Sequence, residues 1–246
     1  MSRPQPQAQP QRYGLYDPVF EHDSCGVGFV AHIRGQRSRG IIDDAYTVLQ
    51  NMDHRGAVGA EPNSGDGAGI LTALPHEFLA RVTRDELSTT LPEIGRFGAG
   101  VVFFPQDKTE RDQCKREVER LVAECGQHLV GWRPVPVEPE RADLGATARA
   151  CQPRIEQLLV AAAALDNDNF ERQLYLIRKQ ASRLLRGNTT LSHRKMFYIC
   201  SLSSKVMIYK GMLRTLQLME YFPDLRDPDY TSHLAMVHSR FSTNTF

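Results

Sequence analysis

An α+β layered fold is predicted for this 246-residue chain, on three observations. Hydrophobic periods near two and near 3.6 both occur. The strand signals come in pairs, with helical stretches between the groups, rather than in a regular strand–helix alternation, which disfavours a parallel doubly wound sheet. The composition is 41% hydrophobic, enough for a sizeable core.

Taken in order, residues 1–12 are rich in Pro and Gln and read as disordered. Residues 13–24, "YGLYDPVFEHDS", carry aromatic and apolar side chains that pack loosely at most. Val27, Phe29, Ala31 and Ile33 then alternate with small or polar residues, as in a strand. Gly35 and Gly40 bracket a basic turn. Over 41–54 the period changes: Ile41, Ile42, Ala45, Val48, Leu49 and Met52 share one helical face. Asp43 and Asp44 lie in its first turns, where the helix dipole favours them, and Gly56 can end it in a left-handed conformation. The glycine-rich "EPNSGDGAG" leads into a short strand, "ILTAL".

Residues 97–104, "FGAGVVFF", read as a buried strand. Residues 108–126 read as an amphipathic helix with Cys114, Val118, Leu121, Val122 and Cys125 inward, stopped by Gly126. The prolines of "HLVGWRPVPV" suit an edge strand. Residues 138–153 read as a loop and 154–165 as a helix, and "LYLI" is ambiguous. "MFYICSLSSKVMIYKGML" gives two strands around a Ser-rich turn. A helix over 213–222, a loop "PDLRDPDYTS" and a last apolar strand in "HLAMVHSRFSTN" complete the chain. No internal repeat is visible.

Several function classes are disfavoured. The formal net charge of +1 gives no general pull toward nucleic acid or an anionic membrane. The longest purely apolar run, 158–165, is far too short to span a bilayer. The first residues lack the apolar block of a secretory signal, so the expected compartment is the cytoplasm. The five cysteines are odd in number, widely spaced and without C-x-x-C, against a disulfide framework or structural zinc. His22 and Cys25 make one metal half-site that no second pair completes, so no metal is expected.

Cys25 opens the first strand, beside the small residues Ser24 and Gly26. It is either a plain strand residue or a nucleophile. A free thiol is only a few per cent ionised at neutral pH and needs a base. A histidine elsewhere is one candidate. Cleavage between Ser24 and Cys25 supplies another: a new α-amine with a pKa of about 8, against about 10 for lysine, able to take the thiol proton. "GDGAG", 65–69, lacks the Lys-Ser/Thr of a P-loop and the spacing of a dinucleotide fingerprint. It is either a tight turn or backbone that approaches a site closely. Arg240 in "HSRFSTN" is either a surface arginine or a bidentate carboxylate clamp beside hydroxyls. Arg55 in "DHRG" either points into a site or caps the preceding helix electrostatically. The charges of 108–120 read as the wet face of their helix.

Four blocks, "FEHDSCGVGFVAHIRG", "MDHRGAVGAEPNSGDGAGILT", "SLSSKVMIYKGML" and "VHSRFSTNTF", occur in order across 20–246. Together they resemble the N-terminal glutaminase domain of the glutamate synthase large subunit. The resemblance implies a class II glutamine amidotransferase with the N-terminal-nucleophile hydrolase fold, a four-layer αββα sandwich of antiparallel sheets, C-terminally incomplete here. It implies a propeptide over 1–24 and the amidotransferase domain from 25 to 246. Cys25 corresponds to the catalytic nucleophile and Arg240 to the arginine that binds the α-carboxylate of glutamine. Thr243 lines the same pocket, Asn244 stands where sugar-phosphate-forming relatives tend to have histidine, and Arg55 is a further substrate-binding candidate. The family's oxyanion-hole Asn-Gly pair and substrate-amine aspartate fall beyond residue 246. Loss of one oxyanion donor costs about a hundred- to a thousandfold in rate, so a chain of this extent is expected to be nearly inactive. FMN and an iron–sulfur cluster are implied for the full subunit and none for this stretch. The implied partners are glutamine, a synthase domain of the same full-length chain and a smaller NAD(P)H-oxidising flavoprotein subunit. The alternatives are a class II amidotransferase with another ammonia acceptor, and a non-catalytic module of the same fold.

Overall fold

A computed structural model describes residues 26–55, 61, 63–163 and 167–239. The propeptide expected over 1–24, the packing of 13–24, the His22–Cys25 half-site and the Gly56 helix stop lie outside the described residues. Two four-stranded sheets form, and every described pairing is antiparallel. The α+β fold is as predicted and consistent with the sandwich that the resemblance implies.

The first sheet has the order β1 (Gly26–Ala31), β8 (Leu234–Ser239), β2 (Ala68–Ala73), β7 (Val206–Gly211). Helix α1 (Gly40–Asn51) lies against β1 and β8, burying Ile41, Ile42, Ala45 and Leu49. Its apolar stripe is the one read from the sequence. A Cβ on Gly28 would stand 2.2 Å from Val48 Cγ1, so the closeness of α1 to β1 depends on that glycine. The opposite face of β1 is open: Val27 and Phe29 are 62% and 60% exposed, and Met236, opposite Phe29, is 44% exposed.

The second sheet has the order β4 (His128–Pro134), β5 (Arg154–Ala161), β3 (Phe97–Phe104), β6 (Tyr198–Ile199). The Pro-rich β4 is an edge strand, as expected. Helices α3 (Lys108–Glu124) and α5 (Asn167–Gly187) pack with this sheet in one apolar cluster, which holds Val102, Phe104, Leu158 and Val160 with Cys114, Val118, Leu174 and Ile177. Asp107 caps α3 by accepting from the Glu110 N–H at 2.8 Å, and Gly126, at φ +69°, follows its end. Cys114 is buried and Cys125 half-buried, on the inward face anticipated. Much of the charge of 108–120 is solvated, but Lys115 reaches the buried Glu156 at 2.8 Å.

A larger cluster joins the sheets. It includes Ile70, Met207, Tyr209 and Val237 of the first with Ala99, Val101, Ile155 and Leu159 of the second, and residues of α1 and α2 (His76–Leu87). A polar group crosses it. Asp224 accepts from Arg133 Nη1 and Nη2 at 2.8 and 3.0 Å and from the Tyr209 hydroxyl at 2.7 Å. Gln157 accepts from Arg133 and donates to Tyr209. Arg133 and Asp224 are only 2% and 3% exposed, and this bidentate pairing is what makes that burial tolerable.

Three expectations are corrected. Residues 154–165 do not form a helix: β5 runs through them as a central strand, buried on both faces from Ile155 to Val160. A strand covered on both sides shows a continuous apolar run instead of alternation. "LYLI" lies inside α5. The helix expected over 213–222 shrinks to α6 (Gln217–Tyr221), and the 138–153 loop contains α4 (Ala146–Ala150). The two strands around the Ser-rich turn exist, but β6 and β7 belong to different sheets. The turn between them is held by Glu171 of α5, which accepts from Ser203 Oγ, Ser204 N and Ser204 Oγ at 2.6–2.8 Å. Helix α2 had no counterpart in the sequence reading.

Candidate active site

Cys25, Arg240, Thr243 and Asn244 lie outside the described residues, and so does the side chain of Arg55, whose backbone ends a 3-10 turn at Asp53–Arg55. What is described is the end of the first sheet from which these positions continue. Gly26 stands opposite Ser239, Ser239 opposite Ala68, and Ala68 opposite Gly211. The first residues of β1 and β2 and the last of β8 and β7 therefore form one row.

The glycines of "GDGAG" explain themselves here. Gly67 adopts φ +133°, a conformation that disfavours any side chain. A Cβ on Gly65 would stand 2.8 Å from the Arg214 nitrogen and the Leu213 carbonyl oxygen. A Cβ on Gly69 would stand 2.4 Å from His238 Cε1. The loop is thus both a turn and a close approach, and what it approaches is the chain at 213–214 and the His238 ring.

A web of polar contacts fixes this loop, through residues that sequence reasoning missed. Asp53, two residues before Arg55, accepts from the Thr215 hydroxyl and from Arg214 Nη2 at 3.2 Å. Gln217 accepts from the Arg214 N–H at 2.8 Å and donates to the Asn63 carbonyl at 2.9 Å. Glu61 accepts from Thr147 N and Oγ1 at 3.1 and 2.9 Å, at the start of α4. Their signal was their presence in or beside two of the four sequence blocks, with no local pattern to mark them.

Electrostatics separate the described groups from an activated nucleophile. Burial pushes the Cys200 thiol up to about 12, and burial with the Glu110 charge pushes Cys114 up to about 11. Both are protonated and inert at neutral pH. Burial and the Lys210 charge hold His238 below the usual imidazole range, so it is neutral there. Among the described residues, no group of three or more His, Cys, Asp or Glu could hold a metal ion. Cys114, Cys125, Cys151 and Cys200 are free thiols without the spacing of an iron–sulfur cluster. No described helix is long and apolar enough to cross a membrane.

Comparison with known proteins agrees with this frame. The chain is 43% identical over 249 residues to "Glutamate synthase [NADH]" of Schizosaccharomyces pombe, covering 97% of this chain and 11% of that protein. It is 40% identical over 239 residues to "Glutamate synthase [NADPH] large chain" of Bacillus subtilis, covering 96% and 15%. It is also 40% identical over 228 residues to "Ferredoxin-dependent glutamate synthase 2" of Synechocystis, covering 92% and 14%. The chain thus spans 11–15% of the length of these relatives. Residues 25–246 match the family described as glutamine amidotransferases class-II, and the chain belongs to that family.

Proposed function

We propose that the chain is the glutaminase part of a glutamate synthase, hydrolysing the side-chain amide of glutamine through a thioester on Cys25. The observation that carries this reading is the register of Gly26 opposite Ser239. In sequence Cys25 directly precedes the first and Arg240 directly follows the second, which supports a nucleophile and a carboxylate clamp acting together. The glutamate synthase relatives favour this acceptor chemistry over that of other class II enzymes.

In this scheme residues 1–24 are removed and the α-amine of Cys25 takes its thiol proton. The thiolate attacks the amide carbon, and the tetrahedral oxyanion collapses. The same amine returns the proton to the departing ammonia. Water then hydrolyses the γ-glutamyl thioester to glutamate. Arg240 pairs the substrate α-carboxylate through two hydrogen bonds, with Thr243, Asn244 and Arg55 around it. The ammonia goes to the reductive amination of 2-oxoglutarate in a synthase part of the whole protein. That part carries FMN and an iron–sulfur cluster, works with a smaller NAD(P)H-oxidising flavoprotein subunit, and acts in the cytoplasm.

The test is intact-mass and N-terminal sequencing of the full-length subunit from its own cell, before and after treatment with a glutamine-like diazo ketone. A mature chain beginning at Cys25 and alkylated there alone is expected. An intact Ser24–Cys25 bond in active protein overturns the mechanism.

A further inference from the structure

The described residues enclose a cavity of about 380 Å³ at the β7 edge of the first sheet, across the sheet from β1. Small-molecule sites fall at about 300–1,000 Å³. Its walls come from both sheets and their connections. Phe103 of β3, Ile155 of β5 and Tyr221 of α6 line it, with Met196, Met212 and Leu213. Fully apolar walls would suit a neutral hydrocarbon, but the charged lining does not.

Three cations, Arg186, Lys195 and Lys210, contribute to the lining, and no Asp or Glu does. Lys210 is oriented: its Nζ donates to the Tyr198 hydroxyl at 2.8 Å and lies 4.3 Å from the centre of that ring. Arg186 and Lys195 are exposed, and neither has a carboxylate partner among the described residues. A neutral apolar ligand would leave the Arg186 and Lys195 charges without a counter-charge. A small inorganic anion would leave the apolar walls unfilled. One molecule satisfies both: an anion on a compact apolar body.

We propose that this cavity is a binding site for a small organic carboxylate with a flat apolar body. The carboxylate is held by Lys195 and Arg186, and the body packs on Phe103, Met196 and Met212. The cavity shares Gly211 and Leu213 with the row and loop described above but lies at β7, two strands from β8 and three from β1 in the sheet order, and its test does not depend on the glutamine-hydrolysis assignment.

The chain contains seven methionines, which serve as reporters. With methyl-labelled methionine, 3-phenylpropionate should shift the Met196 and Met212 signals saturably and leave the buried Met207 unmoved. Its neutral amide should bind at least about tenfold more weakly, and inorganic phosphate should move neither signal. The double variant R186Q/K195Q removes both charge-assisted hydrogen bonds and should also lose at least about tenfold. Both side chains are exposed, so the variant should keep the parent's melting temperature. No saturable shift, an amide equal to the acid, a response to phosphate alone, or undiminished binding by the folded double variant would each overturn the proposal.

Discussion

The two sheets differ in what surrounds them. In the second, β3 and β5 are buried on both faces almost end to end. In the first, β1 is covered on one face by α1 while Val27 and Phe29 stand open on the other. The first sheet also holds the glycines that allow close approach, Gly28 and Gly69, and the strand ends next to Cys25 and Arg240. On the proposed function, chemistry and stability are thus divided. The second sheet is scaffold, and the first offers one end and one face to something else.

Substitution can break that division. The largest expected effect is on activity: Cys25→Ala in the full-length subunit should lower glutaminase turnover by at least about a thousandfold, because nucleophile removal leaves only residual catalysis. Its thermal unfolding should be unchanged. Next is Asp224→Ala, which strands the buried Arg133 and Tyr209 hydroxyl. A denaturant titration should show a loss of about 3–5 kcal/mol. Gly28→Ala should cost about 1–3 kcal/mol by forcing α1 away from β1. Val48→Ala in the same chain should recover most of that loss, since the clash is with its Cγ1. Leu158→Ala in the second sheet should cost about 2–5 kcal/mol, whereas Phe29→Thr on the open face should stay within about 0.5 kcal/mol.

The smallest expected effects are of pH, and they too separate the sheets. Cys114, in the second sheet's cluster, and Cys200, in the cluster that joins the two sheets, have raised thiol pKa values in the fold. Their contribution is complete below the unfolded value of about 8.5 and is lost as pH rises toward about 11 and 12. His238 of the first sheet has a lowered value, so its contribution is present above about 6.5 and is lost as pH falls below that. Stability measured against pH should decline on both sides. Cys200→Ala should flatten the alkaline side, and His238→Gln the acid side.

The same contrast governs what the sequence disclosed. β1 alternates, and period two revealed the strand, but its apolar positions Val27 and Phe29 take the open face while Gly28 faces α1. α1 and α3 each bury a single stripe and were found with their faces correct. β5 has no free face, so its run of Leu, Val and Ala lacks a period and read as a helix. The 154–165 reading failed for lack of a signal, since burial on its two faces is decided by α3 and α5 on one side and by the first sheet on the other. The Ser-rich turn was legible as a turn. Its switch between sheets was not, because Glu171, which holds it, lies 32 and 33 residues away from Ser203 and Ser204. Around the candidate site, glycine spacing marked the loop, but Asp53 and Gln217 act through partners far along the chain. Neither was singled out from the sequence.

The position of β8 governs the order of assembly on the ribosome. The second sheet draws all its strands from 97–199, so its pairing partners emerge within about a hundred residues of one another. β8 enters the first sheet between β1 and β2 yet emerges some two hundred residues after β1. Contacts of such long separation form late and slowly. β1 therefore waits for about two hundred further residues before its partner arrives, and maturation at its leading end is expected to follow the arrival of β8.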